Sequence, residues 1–143
     1  LAIVSDDRMV VIARIEAPGD VGFSVRVGYQ RPLAPSTSGM LLSAFQPPKV
    51  REQWRALLKP GLSPDEWTAF EAQAEKAVAQ RHIAAASSYI DGITDISCPV
   101  TNDVGTIAAL TMPWIHIEDG ITLDDALVRL KATAKTLSKA LGG

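Results

Sequence analysis

Phe23-Ser-Val-Arg-Val-Gly-Tyr-Gln-Arg-Pro-Leu-Ala-Pro-Ser-Thr-Ser-Gly39 decides how the rest of the chain is read. Phe23, Val25 and Val27 alternate with Ser24 and Arg26, the two-residue period of a half-buried strand. Gly28 marks a turn, Pro32 and Pro35 a bend, and a helix then starts abruptly at about Thr37. Around that start stand only small residues, Ser36, Thr37, Ser38 and Gly39. The first N–H groups of a helix lack partners inside it and carry partial positive charge. Left uncovered by small side chains, they make a seat for a carboxylate or another anion. The competing role is plain capping of the helix by Ser36. The sequence alone supports both.

Outward from this stretch the elements follow in order. Met9 to Glu16 is β-rich and nearly all apolar, the pattern of a strand buried on both sides, and Ala17-Pro18-Gly19-Asp20 is a turn. The first helix ends at about Phe45, stopped by Pro47-Pro48, and a second covers about Lys49 to Leu58. Ser63-Pro64-Asp65-Glu66 is a capping box with Pro at the first helical position. It opens a helix reaching about Gln80, with Trp67, Phe70, Ala74 and Ala77 or Val78 as its buried stripe. Strands are expected at about Ile83 to Ser87, Ile93 to Val100 and Gly105 to Met112, the last two joined as a hairpin by Thr101-Asn102-Asp103-Val104-Gly105. Pro113 is read as the end of the third. Thr122 caps a final helix with Asp124 and Asp125 in its first turn. Leu123, Leu127, Leu130, Ala134, Leu137 and Leu141 form one apolar seam along it, which suits a sheet or a partner chain equally. The sum is an α+β domain, a mostly antiparallel sheet with helices packed against it, spanning residues 1–143.

Composition narrows the function. A chain of 143 residues with 47% hydrophobic and 21% charged content folds without disulfide or metal. Its net charge of -2 and its dispersed Lys and Arg argue against a phosphate-backbone surface. Lys49 to Lys59, the densest basic stretch, carries Glu52 and reads as a solvated helix face. The single cysteine, Cys98, suits a reducing, cytoplasmic setting and reads as a buried inert thiol. With His82 and His116 it makes no metal signature and no nucleophile–base pattern. No cofactor motif is present, no apolar run spans a bilayer, and no membrane partner is expected. The first residues lack a Met and a signal peptide, so a fragment is expected, with something N-terminal removed.

Ser-Val-Arg-Val-Gly-x-x-x-Pro-Leu-x-x-x-x-x-Gly at Ser24 to Gly39 resembles the entry to the effector-binding domain of IclR-type transcription regulators. So do Gly92-Ile-Thr-Asp-Ile-Ser-Cys-Pro-Val100 and Gly105-x-Ile-Ala-Ala-Leu-Thr-Met112, in the same order and with a helical hairpin between. The resemblance covers about residues 3 to 141. It implies a GAF-like or profilin-like domain, not an enzyme, that senses a small carboxylate effector and self-associates as a dimer or tetramer. DNA would be bound only by an N-terminal winged helix-turn-helix that this chain lacks. Its pocket would place carboxylate-binding amides on Thr37 and Ser38, flanked by Ser36 and Gly39, with Phe23, Arg31, Ile93 and Asp95 as walls. The sequence departs from the commonest family pattern at Ala34-Pro35, Met40, Ala86-Ser87-Ser88 and Asp95.

Each wall residue has a plainer role beside the functional one. Phe23 alternates like a core residue. Arg31 can fork onto a ligand carboxylate or simply lie on the surface. Asp95 shares a strand face with Ile93 and Ser97 and can accept from a ligand hydroxyl or amine, or lie solvated. It would repel an acid at ~4 Å unless protonated or bridged, a conflict that a hydroxy acid or amino-bearing ligand resolves. Two rival functions stand beside the sensor: a small enzyme using Asp95 or Cys98 with a His, and an oligomerisation module without a ligand.

Overall fold

A computed structural model describes the chain at residues 1–16, 23 and 25–143. The turn expected at Ala17 to Asp20, and Ser24, lie outside the described residues. Six strands form one antiparallel sheet: β1 (Ala2–Ser5), β2 (Arg8–Val11), β3 (Gln30–Pro32), β4 (Ile83–Ala86), β5 (Ile93–Thr101) and β6 (Thr106–Ile115). Their order across the sheet is β3-β2-β1-β6-β5-β4. Four α-helices accompany them: α1 (Thr37–Ala44), α2 (Pro48–Leu58), α3 (Pro64–Gln80) and α4 (Leu123–Ala140). The α+β expectation, with helices packed on a mostly antiparallel sheet, is met.

The hairpin of β5 and β6 is the backbone of the sheet. Asn102 turns it, its Oδ1 accepting from the N–H groups of Val104 and Gly105 at 3.0 and 3.1 Å. That turn fixes a register in which Ser97 faces Thr111 and Asp95 faces Pro113. Alternation then sends Ile96, Cys98, Val100, Ala108, Leu110 and Met112 to one face, where Ala126, Leu130 and Ala134 of α4 cover them. The other face belongs to α1, with α3 stacked outside it. Leu41, Leu42 and Ala44 of α1, Ala77 of α3, and Ala2, Met9, Val11, Ile83 and Ala109 of the sheet close that second core. Buried on nearly every side, α1 shows no amphipathic stripe, as expected of a helix inside a core. The seam of α4 packs on the sheet, although its last member, Leu141, is 51% exposed.

Four strand expectations need correction. Met9 to Glu16 is not one strand: regular pairing covers only Arg8–Val11, and residues 12–16 are exposed without regular structure. Val10 is half-buried between buried Met9 and Val11, so β2 alternates rather than being buried on both sides. The chain start instead supplies β1, hairpinned to β2 through Asp6 in the left-handed region (φ 56). No strand runs through the described residues of 23–27; the edge strand is β3, three residues further on. Finally, Pro113 does not end its strand, and β6 continues to Ile115. On its far side β6 meets β1 only at Ala109, so among the described residues nothing pairs with it there around Pro113, and a missing N–H is tolerated.

Candidate anion-binding site

Helix α1 begins beneath the sheet face that carries Ser97 and Thr111. Its cap is fully built: Ser36 Oγ accepts from the N–H of Gly39 at 3.0 Å and donates to the carbonyl of Leu33 at 3.0 Å. The hydroxyl of Ser36 is therefore committed, and so is the amide of Gly39. Among the described residues no acceptor meets the N–H groups of Thr37 and Ser38. These are the two amides that the sequence singled out. Gly39 has its own reason to be glycine: a methyl there would land on the backbone of Leu33, 2.6 Å from its carbonyl carbon. That close approach lets the Leu33–Pro35 loop fold over the start of the helix.

The side chain of Ser38 reaches the sheet. Its Oγ lies 2.8 Å from Thr111 Oγ1, which lies 2.7 Å from Ser97 Oγ. Ser97 and Thr111 are a cross-strand pair, so the hairpin register itself creates this chain of hydroxyls. Thr111 was not among the residues singled out from the sequence. Counting back from the Asn102 turn finds it, because that count places the inward Thr opposite Ser97.

Two residues further along β5, on the same face, sits Asp95. Partial burial pushes its carboxyl above the ordinary range, while the Ser87 hydroxyl and the charge of Arg31 pull the other way. Arg31 belongs to the opposite edge strand, β3. It meets this end of the sheet because the sheet curls: the guanidinium lies over the ring of Tyr89, which follows β4, and 4.9 Å from the centre of Tyr29. Thus Arg31 and Asp95, two separate candidates in the sequence, come to the same end of the sheet, where the Arg31 charge offsets only a small part of what burial does to the Asp95 carboxyl. Buried Ile93 sits beside them, its carbonyl accepting from the N–H of Ser87 at 2.8 Å.

Phe23 is 44% exposed and is packed on neither core, so its expected core alternation fails. An apolar cavity of about 180 Å³ lies between α1 and α3, lined by Ala34, Pro35, Met40, Leu62, Ala69 and Phe70 among others; Thr37, Ser38, Arg31 and Asp95 do not line it. Cys98 lies on the α4 face, its thiol pushed up to about 11 by burial, with the charge of Lys131 opposing. Among the described residues there is no group of three or more His, Cys, Asp or Glu placed to hold a metal. Nor is any helix of the described residues long and apolar enough to cross a membrane.

Comparison with solved structures places this fold. An IclR homologue from Microbacterium hydrocarbonoxydans, complexed with 4-hydroxybenzoate, matches at a TM-score of 0.71 and 20% identity, covering 97% of this chain and 59% of that one. The Thermotoga maritima IclR matches at 0.75 and 18%, covering 99% and 60%. The C-terminal domain of a putative transcriptional regulator from Vibrio cholerae matches at 0.68 and 20%, covering 98% and 82%. The fold is therefore that of IclR-type regulators, and the resemblance read in the sequence is met at that level. The chain spans about 60% of the length of the Microbacterium and Thermotoga chains it matches. No family model matches the sequence, and no curated protein does.

Proposed function

We propose that residues 1–143 are the effector-sensing domain of an IclR-type transcription regulator, and that the effector is a small organic acid. DNA contact falls to a separate winged helix-turn-helix domain, and the assembled protein is a dimer or tetramer in a cytoplasmic setting. The observation that carries this reading is a helix N-terminus, packed against the sheet, with two uncommitted amides beside a hydroxyl chain. Such a terminus favours an anion by geometry and by dipole. The neighbouring fold that holds 4-hydroxybenzoate supports an acid as the ligand class. Asp95, Ser87 and Tyr89 suit the far end of such a molecule: an aromatic face and an acceptor for a hydroxyl. A carboxylate beside Asp95 would meet a like charge, so the acid's own charge belongs at α1.

The non-enzymatic reading is favoured by the thiol of Cys98, raised and buried away from this site. Packing of the α4 seam on the sheet removes the observation that favoured a pure oligomerisation module. Regulation requires the acid to bind two arrangements of the protein unequally. The segment from Arg31 to Ser38 is the element both could bias, since it runs from the Tyr89 contact to the helix start.

The test is thermal shift and calorimetry with a panel of carboxylic acids that includes 4-hydroxybenzoate. An acid at a hundred times its Kd stabilises the fold by about 2.7 kcal/mol. Ser38→Pro, tolerated in a first helical turn, removes one amide and the hydroxyl; Ser38→Ala removes the hydroxyl alone. Affinity is expected to fall in both, further in the proline variant. An acid bound equally by all three proteins sinks the seat at α1.

A further inference from the structure

We propose that Ser97, a residue no ligand can touch, sets the direction in which the chain Ser97–Thr111–Ser38 donates and so keeps one O–H aimed at the anion seat; this rests on the acid-binding reading above. Three hydroxyls bring three protons, and the chain contains two hydrogen bonds. One proton is surplus.

Ser97 is 0% exposed, and among the described residues its hydroxyl has Thr111 as its only partner. A surplus proton on Ser97 would be buried facing no acceptor, a penalty of about 1–3 kcal/mol. Ser97 is therefore the donor to Thr111. Thr111 then either passes its own proton to Ser38, or accepts from both serines and keeps its proton free. In both arrangements the surplus O–H emerges on Thr111 or Ser38, at the start of α1.

The uncommitted N–H groups of Thr37 and Ser38 are at the same place. The unpartnered backbone groups there are donors, and the hydroxyls beside them can donate too, so what fits is an acceptor, best a charged one. Ser38 itself is 5% exposed, which leaves little water to take that role. With an anion seated, Ser97 donates to Thr111, Thr111 to Ser38 and Ser38 to the anion, each bond polarising the next. Ser97 is a positioning residue in this scheme. Without the Ser97 hydroxyl, Thr111 receives no donated proton, and the O–H offered to the anion loses the polarisation which that link supplied.

The experiment is calorimetry on this chain with 4-hydroxybenzoate and its uncharged counterpart 4-hydroxybenzamide. Ser97→Ala is expected to weaken the acid about 3- to 10-fold, the worth of one hydrogen bond, and the amide much less. Thr111→Ser should keep the acid-over-amide preference, and Thr111→Val should lose it. Ser97→Ala binding the acid as tightly as the unaltered chain overturns the inference while leaving the acid-binding reading standing. Equal weakening of acid and amide overturns it too, because that marks a merely structural role. If no carboxylate of the panel binds the unaltered chain, the acid-binding reading falls, and this inference with it.

Discussion

The two faces of the β5–β6 hairpin are made by the same strands and solve opposite problems. Toward α4 the hairpin presents Ile96, Cys98, Val100, Ala108 and Leu110, and nothing there asks for a hydrogen bond. Toward α1 it presents Asp95, Ser97 and Thr111 among apolar neighbours, and the two hydroxyls are tied with that of Ser38 into a chain at the start of the helix. A face that only held the sheet to a helix would be expected to look like the first. Burying hydroxyls stabilises a domain little, since their bonds replace bonds to water. On the proposed reading, what the polar face gains is a place of defined hydrogen-bonding sense in which a small acid could be recognised.

That contrast predicts a separation of effects. Removing bulk from the apolar face should unfold without blinding. Ile96→Ala deletes a fully buried side chain and should cost about 2–5 kcal/mol in urea unfolding, while acid affinity of the folded protein stays within twofold. Unchanged stability would mean that the α4 core is not packed as described. At the junction with the polar face, Gly39→Ala drives a methyl into the backbone of Leu33, which cannot swing aside as a side chain can. A loss of about 3 kcal/mol is expected, now accompanied by weaker acid binding because the helix start must shift. Wild-type affinity in that variant would show that the helix start is not where the acid sits.

The smallest effect belongs to Asp95. Its folded carboxyl titrates above the unfolded one, so the folded state holds the extra proton in the window just above the ordinary Asp range. Stability should therefore decline modestly as pH rises through that window toward neutrality. Asp95→Asn should flatten the decline and raise the melting temperature slightly at pH 7, partial exposure keeping the gain small. A melting profile that keeps the same slope in the Asn variant would assign the dependence to another group.

Legibility in the sequence followed the range of the interaction that built each element. The helix α3 was readable to its last residue because a capping box and a four-turn stripe are local signals. So was the start of α4, where Thr122 accepts from Asp125 as its position implied. The β1–β2 hairpin was missed because its turn uses Asp6-Asp7 and no glycine, and because four-residue strands carry too few alternations to count. The described residues of 23–27 alternate in sequence yet form no strand, because the edge of β2 is paired by β3, three residues further on. In the site, the α1 amides were legible from Ser36 to Gly39. Tyr89 was not, because it meets Arg31 only through the curl that brings the two sheet edges together.

By itself the sequence determined the helix starts, the long hairpin and the small residues at the head of α1, because caps, turns and periods act over a few neighbours. Only the tertiary structure decided which donors stay free there: Ser36 takes the amide of Gly39, and hairpin register brings Ser97 and Thr111 to Ser38. The reason is that hydrogen-bond partners are settled by distances across the sheet, and residues 73 positions apart in the chain have no local pattern that announces their meeting.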